Sequence, residues 1–145
     1  MNWEPSHPHK GDMIRTKVGF YYHYGIYVDD GTVIQFGPPD GASRDPNEIE
    51  VISTDIDIFR NGGEVETAKL DLSERLKRNS ADKTVEIARS RIGEKGYNIL
   101  HNNCEHFANE CVFGAPHSGF VDSVRRSIRE KLNGRSDKPE SADRT

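Results

Sequence analysis

Two short stretches carry side chains that could do covalent chemistry together. Asn102-Asn103-Cys104-Glu105-His106-Phe107 puts a cysteine directly after asparagines that can cap a helix. Far upstream, Tyr21-Tyr22-His23-Tyr24-Gly25-Ile26-Tyr27-Val28 puts a histidine in an aromatic and β-branched run that reads as a strand. A thiol attacks as its thiolate, whose pKa falls at a helix N-terminus or beside an imidazolium. The unpaired N–H groups of a first helical turn stabilise that anion, and also the oxyanion of a tetrahedral intermediate. Cys104 is therefore read as a nucleophile and His23 as its base. Gln35 can fix the imidazole tautomer by accepting the other ring N–H through its amide oxygen. Being neutral, it would steady an imidazolium less than a carboxylate does.

The same residue types admit plainer readings. A lone cysteine is often a small buried hydrophobe, and a strand histidine is often a satisfied core residue. His101 and His106 are rival bases, although His106 lies two positions from Cys104, where side chains on one helix do not face each other. Cys104, His106 and Cys111 fit no usual zinc spacing. His7-x-His9 has no further ligands near it in sequence and reads as part of a solvated Pro/His arm. No metal or cofactor is expected.

The elements that must position these residues follow from pattern. Met13 to Thr16 reads as a strand after the Gly11-Asp12 turn, Tyr21 to Val28 as a second, and Thr32 to Phe36 as a third. The link Asp29-Asp30-Gly31 leaves two registers open. A three-residue loop pairs Val28 with Thr32 and Gly25 with Gln35, making His23 and Gln35 diagonal neighbours on one face. A two-residue Asp30-Gly31 turn shifts the pairing by one and separates them. A Pro/Gly/Asp-rich loop over 38–48 leads to a strand over Glu48 to Ser53. Asp55 to Phe59 alternates and fits a strand or a helical turn. Arg60-Asn61-Gly62-Gly63 reads as a hairpin, with Glu64 to Thr67 returning.

Ser73 to Lys77 reads as a helical turn. Ser80 caps a helix whose apolar face is Ala81, Val85, Ala88 and Ile92, stopping near Gly93. Tyr97 to Leu100 is a connector, and Cys104 to Val112 a helix ending at Gly114. Ser118 to Leu132 is amphipathic, with Arg125, Arg126, Arg129 and Lys131 on its polar side. It fits a helix packed on its own domain or one lying on an anionic membrane. The expected organisation is an arm over 1–10, a catalytic domain over 11–133 and a disordered polar tail over 134–145.

At 145 residues the chain suits one domain. A net charge of −4 gives no basic footprint for nucleic acid. No apolar run reaches the roughly 18 residues of a transmembrane span, and none opens the chain as a signal peptide would. Cys104 and Cys111 would lie about 10.5 Å apart along one helix, too far for a disulfide. Free thiols suggest a reducing compartment, hence a cytoplasmic protein.

Asn103-Cys104-Glu105-His106-Phe107 resembles the Asn-Cys-Glu-His-Phe signature of the lecithin retinol acyltransferase-like family. That family includes the phospholipase/acyltransferase tumour-suppressor proteins and belongs to the NlpC-type, permuted papain-like superfamily. Gly96 to Leu100 is similar to the family's Tyr-x-Leu-Leu run. Gly11-Asp12, then His23 to Val28 and Asp30-Gly31, resembles its His box. The resemblance covers roughly residues 11 to 114. It implies an α+β fold, with an antiparallel β-sheet packed against a nucleophile-bearing helix and the His strand before the Cys helix. It implies Cys104 as nucleophile and His23 as general base. Gln35 stands where the family commonly has a second histidine.

The implied activity moves an acyl group from a phospholipid-like ester through a Cys104 thioester to water, an amine or an alcohol. Tyr22, Tyr24 and Asn103 are then candidate substrate-binding residues, Tyr22 and Tyr24 also fitting ordinary strand aromatics. Several relatives carry a hydrophobic membrane anchor where this chain has a polar tail, so any membrane contact is expected to be peripheral. Two alternatives stand beside this reading: a cysteine amidase or peptidase, and a non-catalytic interaction module with the same blocks.

Overall fold

The aromatic and β-branched runs near the N-terminus form strands because their alternate side chains can be buried on two different faces. A computed structural model of the chain describes residues 1–37, 46–96 and 103–114. Its strands are β1 (Asn2–Glu4), β2 (Met13–Val18), β3 (Tyr21–Tyr27), β4 (Thr32–Gly37), β5 (Glu50–Asp55) and β6 (Val65–Lys69). Its α-helices are α1 (Ile56–Arg60), α2 (Leu72–Lys77), α3 (Ala81–Ser90) and α4 (Cys104–Phe113). The six strands make one sheet in the order β1-β6-β2-β3-β4-β5, every pairing antiparallel.

One face carries Met13, Ile26, Val28, Ile34 and Phe36 against Val85 and Ala88 of α3 and Phe107, Ala108, Cys111 and Val112 of α4. The other carries Ile14, Tyr27 and Val33 against Phe59 of α1. Successive strand residues thus alternate between the two cores. The β3–β4 link resolves the open register. Asp30 and Gly31 both take positive φ, Val28 N–H donates to Thr32 O at 2.8 Å, and Gly25 pairs with Gln35. This is the three-residue loop.

Two expectations change. Arg60-Asn61-Gly62-Gly63 is not a hairpin. Asp55 caps α1 by accepting from Asp57 N–H, and Asn61 closes it in the left-handed conformation at φ 45°. Asn-Gly can end a helix as well as turn a hairpin, because both uses need positive φ. The chain then crosses to pair β6 with β2 and β1 rather than with β5. The segment read as an arm also contributes β1, which pairs Trp3 with Ala68. The expected connector over 97–100, helix over 118–132 and tail over 134–145 lie outside the described residues.

Candidate active site

Helix α4 begins where it does because of its cap. Asn103 is extended, its Oδ1 accepts from His106 N–H at 2.9 Å, and its own N–H donates to His106 Nδ1 at 3.2 Å. This reciprocal pair satisfies two first-turn groups that would otherwise lack partners. It makes Cys104 the first helical residue. It also commits His106 to the cap, so the rival base on this helix has another task. Cys104, Phe107, Ala108, Cys111 and Val112 recur on the buried face, and Gly114 ends the helix at φ 77°.

The position of the Cys104 sulfur follows from sheet geometry. Tyr27 exchanges hydrogen bonds with the β2 side, through Asp12 O and Gly11 N–H, whereas Val28 N–H points to β4. Backbone groups alternate along a strand, so Tyr24 N–H also points toward β4. The β3–β4 pairs run only from Tyr27↔Val33 to Gly25↔Gln35, while β4 stays paired with β5 as far as Gly37↔Glu50. The two strands part just before Tyr24. There the Tyr24 N–H lies near enough to the Cys104 sulfur to favour its thiolate. The thiol therefore sits against the peptide that joins His23 to Tyr24.

His23 and Gln35 meet on the face that carries Phe59. His23 Nε2 donates to Gln35 Oε1, and Gln35 Nε2 donates to Thr54 Oγ1 at 2.8 Å. Thr54 orients the amide so that its oxygen faces the ring, and leaves Nδ1 as the basic nitrogen. The Phe59 ring lies 5.1 Å from the imidazole, tilted 32°. Glycine at 25 makes room for it, since a Cβ there would meet Phe59 Cε1 and Val33 Cγ1 at 2.9 Å. His23 and Gln35 are thus brought together, and Cys104 reaches their strand from the α4 side. Among the described residues no hydrogen bond joins the Cys104 sulfur to the His23 ring, and the Tyr24 N–H faces the sulfur instead.

The Cys104 thiol and the His23 imidazole are both held neutral. Burial pushes the Cys104 thiol up to about 11, and the Glu105 carboxylate adds to the rise. The N–H groups of Tyr24, Cys104 and Glu105 oppose it. Burial lowers His23 below its usual 6.5 against the raising effect of Gln35. At pH 7 the imidazole is therefore unprotonated and the sulfur is a thiol.

Tyr22 and Tyr24 flank His23 along β3. Burial and then the Glu105 charge push the Tyr24 hydroxyl up to about 12, against the lowering effect of Arg15. Arg15 lies 3.8 Å over the Tyr22 ring and 4.3 Å over Trp3, and its Nε donates to Glu66 at 2.7 Å. Cys111 is wholly buried on α4, its thiol pushed up to about 12 by desolvation. His101 lies outside the described residues. Among the described residues no three His, Cys, Asp or Glu converge as a metal site. None of the described helices is long and apolar enough to cross a membrane.

Sequence reasoning missed Thr54, Phe59 and the Tyr24 peptide. Thr54 was within reach, because in this register it lies two residues beyond Ile52, the β5 partner of Gln35. The sulfur's backbone partner leaves no mark in residue type.

The lecithin retinol acyltransferase family profile matches residues 6–117. Human lecithin retinol acyltransferase is 28% identical over 153 aligned residues, covering 89% of this chain and 66% of that protein. Mouse phospholipase A and acyltransferase 3 is 30% identical over 131 residues, covering 84% and 79%. Mouse phospholipase A and acyltransferase 1 is 29% identical over 139 residues, covering 86% and 77%. The chain spans just under two thirds of the human acyltransferase.

Proposed function

From the premise that the chain belongs to the lecithin retinol acyltransferase family, we propose that it is a thiol acyltransferase or phospholipase A-type hydrolase acting on a phospholipid-like ester. The relatives, a lecithin retinol acyltransferase and a phospholipase A and acyltransferase, supply the acyl chemistry. The observation that supports its assignment to particular residues is the Cys104 thiol at the first position of α4, set beside the Tyr24 N–H next to a Gln35-oriented His23.

The steps follow from the protonation states. Neutral His23 takes the Cys104 proton at Nδ1 as the sulfur attacks the ester carbonyl. The carbonyl π electrons move to oxygen, which the Cys104 N–H holds. As the intermediate collapses, the carbon–oxygen bond breaks, and His23 returns its proton to the departing alkoxide. An acyl thioester and a free alcohol remain. His23 then takes a proton from water, an amine or an alcohol, which attacks the thioester, and the thiol regains that proton on leaving. Gln35, held by Thr54, keeps Nε2–H fixed throughout.

Tyr22, Tyr24 and Asn103 are assigned to the substrate side. The His strand preceding the Cys helix suits a permuted papain-like order. A cytoplasmic location with peripheral lipid contact completes the reading.

The test is intact-protein mass spectrometry after incubation with a short-chain activated ester and, separately, a soluble phosphatidylcholine. Wild type should gain one acyl mass, and Cys104→Ala and His23→Ala should not. Folded wild type that neither gains mass nor turns over either donor would overturn the proposal and favour the interaction module.

A further inference from the structure

The turn joining β2 to β3 presents an apolar side chain that the fold leaves uncovered. Val18 pairs with Tyr21, so Gly19 and Phe20 form a two-residue turn. Gly19 takes φ +62° there, as the tight turns that suit strand twist require. Phe20 is 106% exposed and Tyr21 54% exposed, and neither belongs to either core cluster. Lys17 beside them is exposed. A turn needs no aromatic at this position, and a solvated Phe is unfavourable there.

Its place relative to the chemistry gives the turn a use. Phe20 is three residues from His23 along an extended strand, or about 10 Å. Apolar side chains that enter a bilayer interface lie roughly 5–10 Å deep, at the boundary between headgroups and acyl chains. Acyl esters lie at that same boundary. With Phe20 inserted, Tyr21 would sit at headgroup level, where amphipathic rings concentrate. Lys17 would supply a positive charge to anionic headgroups in a chain whose net charge is −4.

We propose that the β2–β3 turn is a lipid-surface anchor, with Phe20 inserted and Tyr21 and Lys17 at headgroup level, which holds the Cys104–His23 end of the sheet within about 10 Å of the ester boundary. This deepens the lipid reading and rests on it. It commits the turn to a bilayer surface rather than to a second copy of the chain.

The test is co-sedimentation of the full chain with vesicles of phosphatidylcholine, with and without phosphatidylserine. Phe20→Ser should weaken partitioning about tenfold, as loss of one buried aromatic predicts. Leu76→Ser, which removes an apolar side chain 78% exposed on α2, should leave it unchanged. Lys17→Gln should matter only with phosphatidylserine present. Phe20→Ser should leave Cys104 labelling by a monomeric short-chain ester intact. Equal partitioning of wild type and Phe20→Ser would overturn the anchor. So would equal losses in both serine variants, or a wild-type dimer that Phe20→Ser dissociates without any vesicle binding. Because sedimentation needs no turnover, Phe20-dependent binding by a protein that labels with no ester would uphold the anchor while removing the lipid chemistry.

Discussion

Replacing Gln35 by glutamate should move the acid limb of the pH–rate profile upward. Gln35 Oε1 accepts from His23 Nε2, and burial already lowers the imidazole below 6.5. The wild-type limb of kcat/KM, which reports protonation of the free base, should therefore lie below pH 6.5. Gln35→Glu keeps the shape and puts a negative charge where the amide oxygen was. Two unit charges about 4 Å apart at an effective dielectric near 20 attract by roughly 4 kcal/mol. Burying the new carboxylate takes part of that back. Opposite charges at this range shift a pKa by about 1–3 units, or roughly 1.4–4 kcal/mol. The limb should rise by that amount, and activity near pH 6 should collapse. The same charge favours transfer of the Cys104 proton, so alkylation by iodoacetamide at pH 7 should quicken. The assay is kcat/KM for a soluble activated ester across pH, for wild type and the variant, with folding checked by circular dichroism. A limb that stays within about 0.3 unit in a folded Gln35→Glu protein would show that His23 is not the titrating base.

The buried thiols should be slow to react. Cys104 alkylation should climb through about pH 11 rather than near 8.5, and Ellman's reagent should count both cysteines only after unfolding. Loss of the α4 cap by Asn103→Ala should cost about 1 kcal/mol, within roughly 0.5–2, read as a lower midpoint in thermal melts. Gly25→Ala should force Phe59 from the His23 ring, because the added Cβ would fall 2.9 Å from it. Overpacking of this kind costs about 1–3 kcal/mol, and kcat should fall in the folded fraction. Stability should decline as pH falls below about 6.5, since His23 binds a proton more readily unfolded than folded. His23→Phe should flatten that slope in denaturant titrations at successive pH values.

What could be read from sequence was set by local chemistry. The α4 cap was legible because an Asn before a cysteine-led apolar face has few other uses, and the α3 cap at Ser80 likewise. The meander was legible from its aromatic and β-branched runs, but the register on which His23 and Gln35 depend was not. It turned on whether Asp30 and Gly31 closed two residues or three, a difference of backbone angle rather than composition. Asn61-Gly62 misled for a related reason, since positive φ serves a helix end and a hairpin equally. Thr54 and the Tyr24 peptide stayed hidden because both act through positions set by long-range pairing. Phe20 stood in plain sight as a residue but not as an exposed one, because exposure belongs to the whole fold.

The parting of β3 from β4 gives the chain a built-in spectroscopic witness. A strand amide normally faces only its neighbour across the ladder, whereas the Tyr24 amide lies beside the Cys104 sulfur. A hydrogen bond to thiolate, to thiol and to an acylated sulfur would deshield that proton to three different degrees, strongest for the anion. In a nitrogen-15 spectrum this one peak would track the chemical state of the Cys104 sulfur without a label on it. It would also reveal, before any product forms, when an ester has arrived.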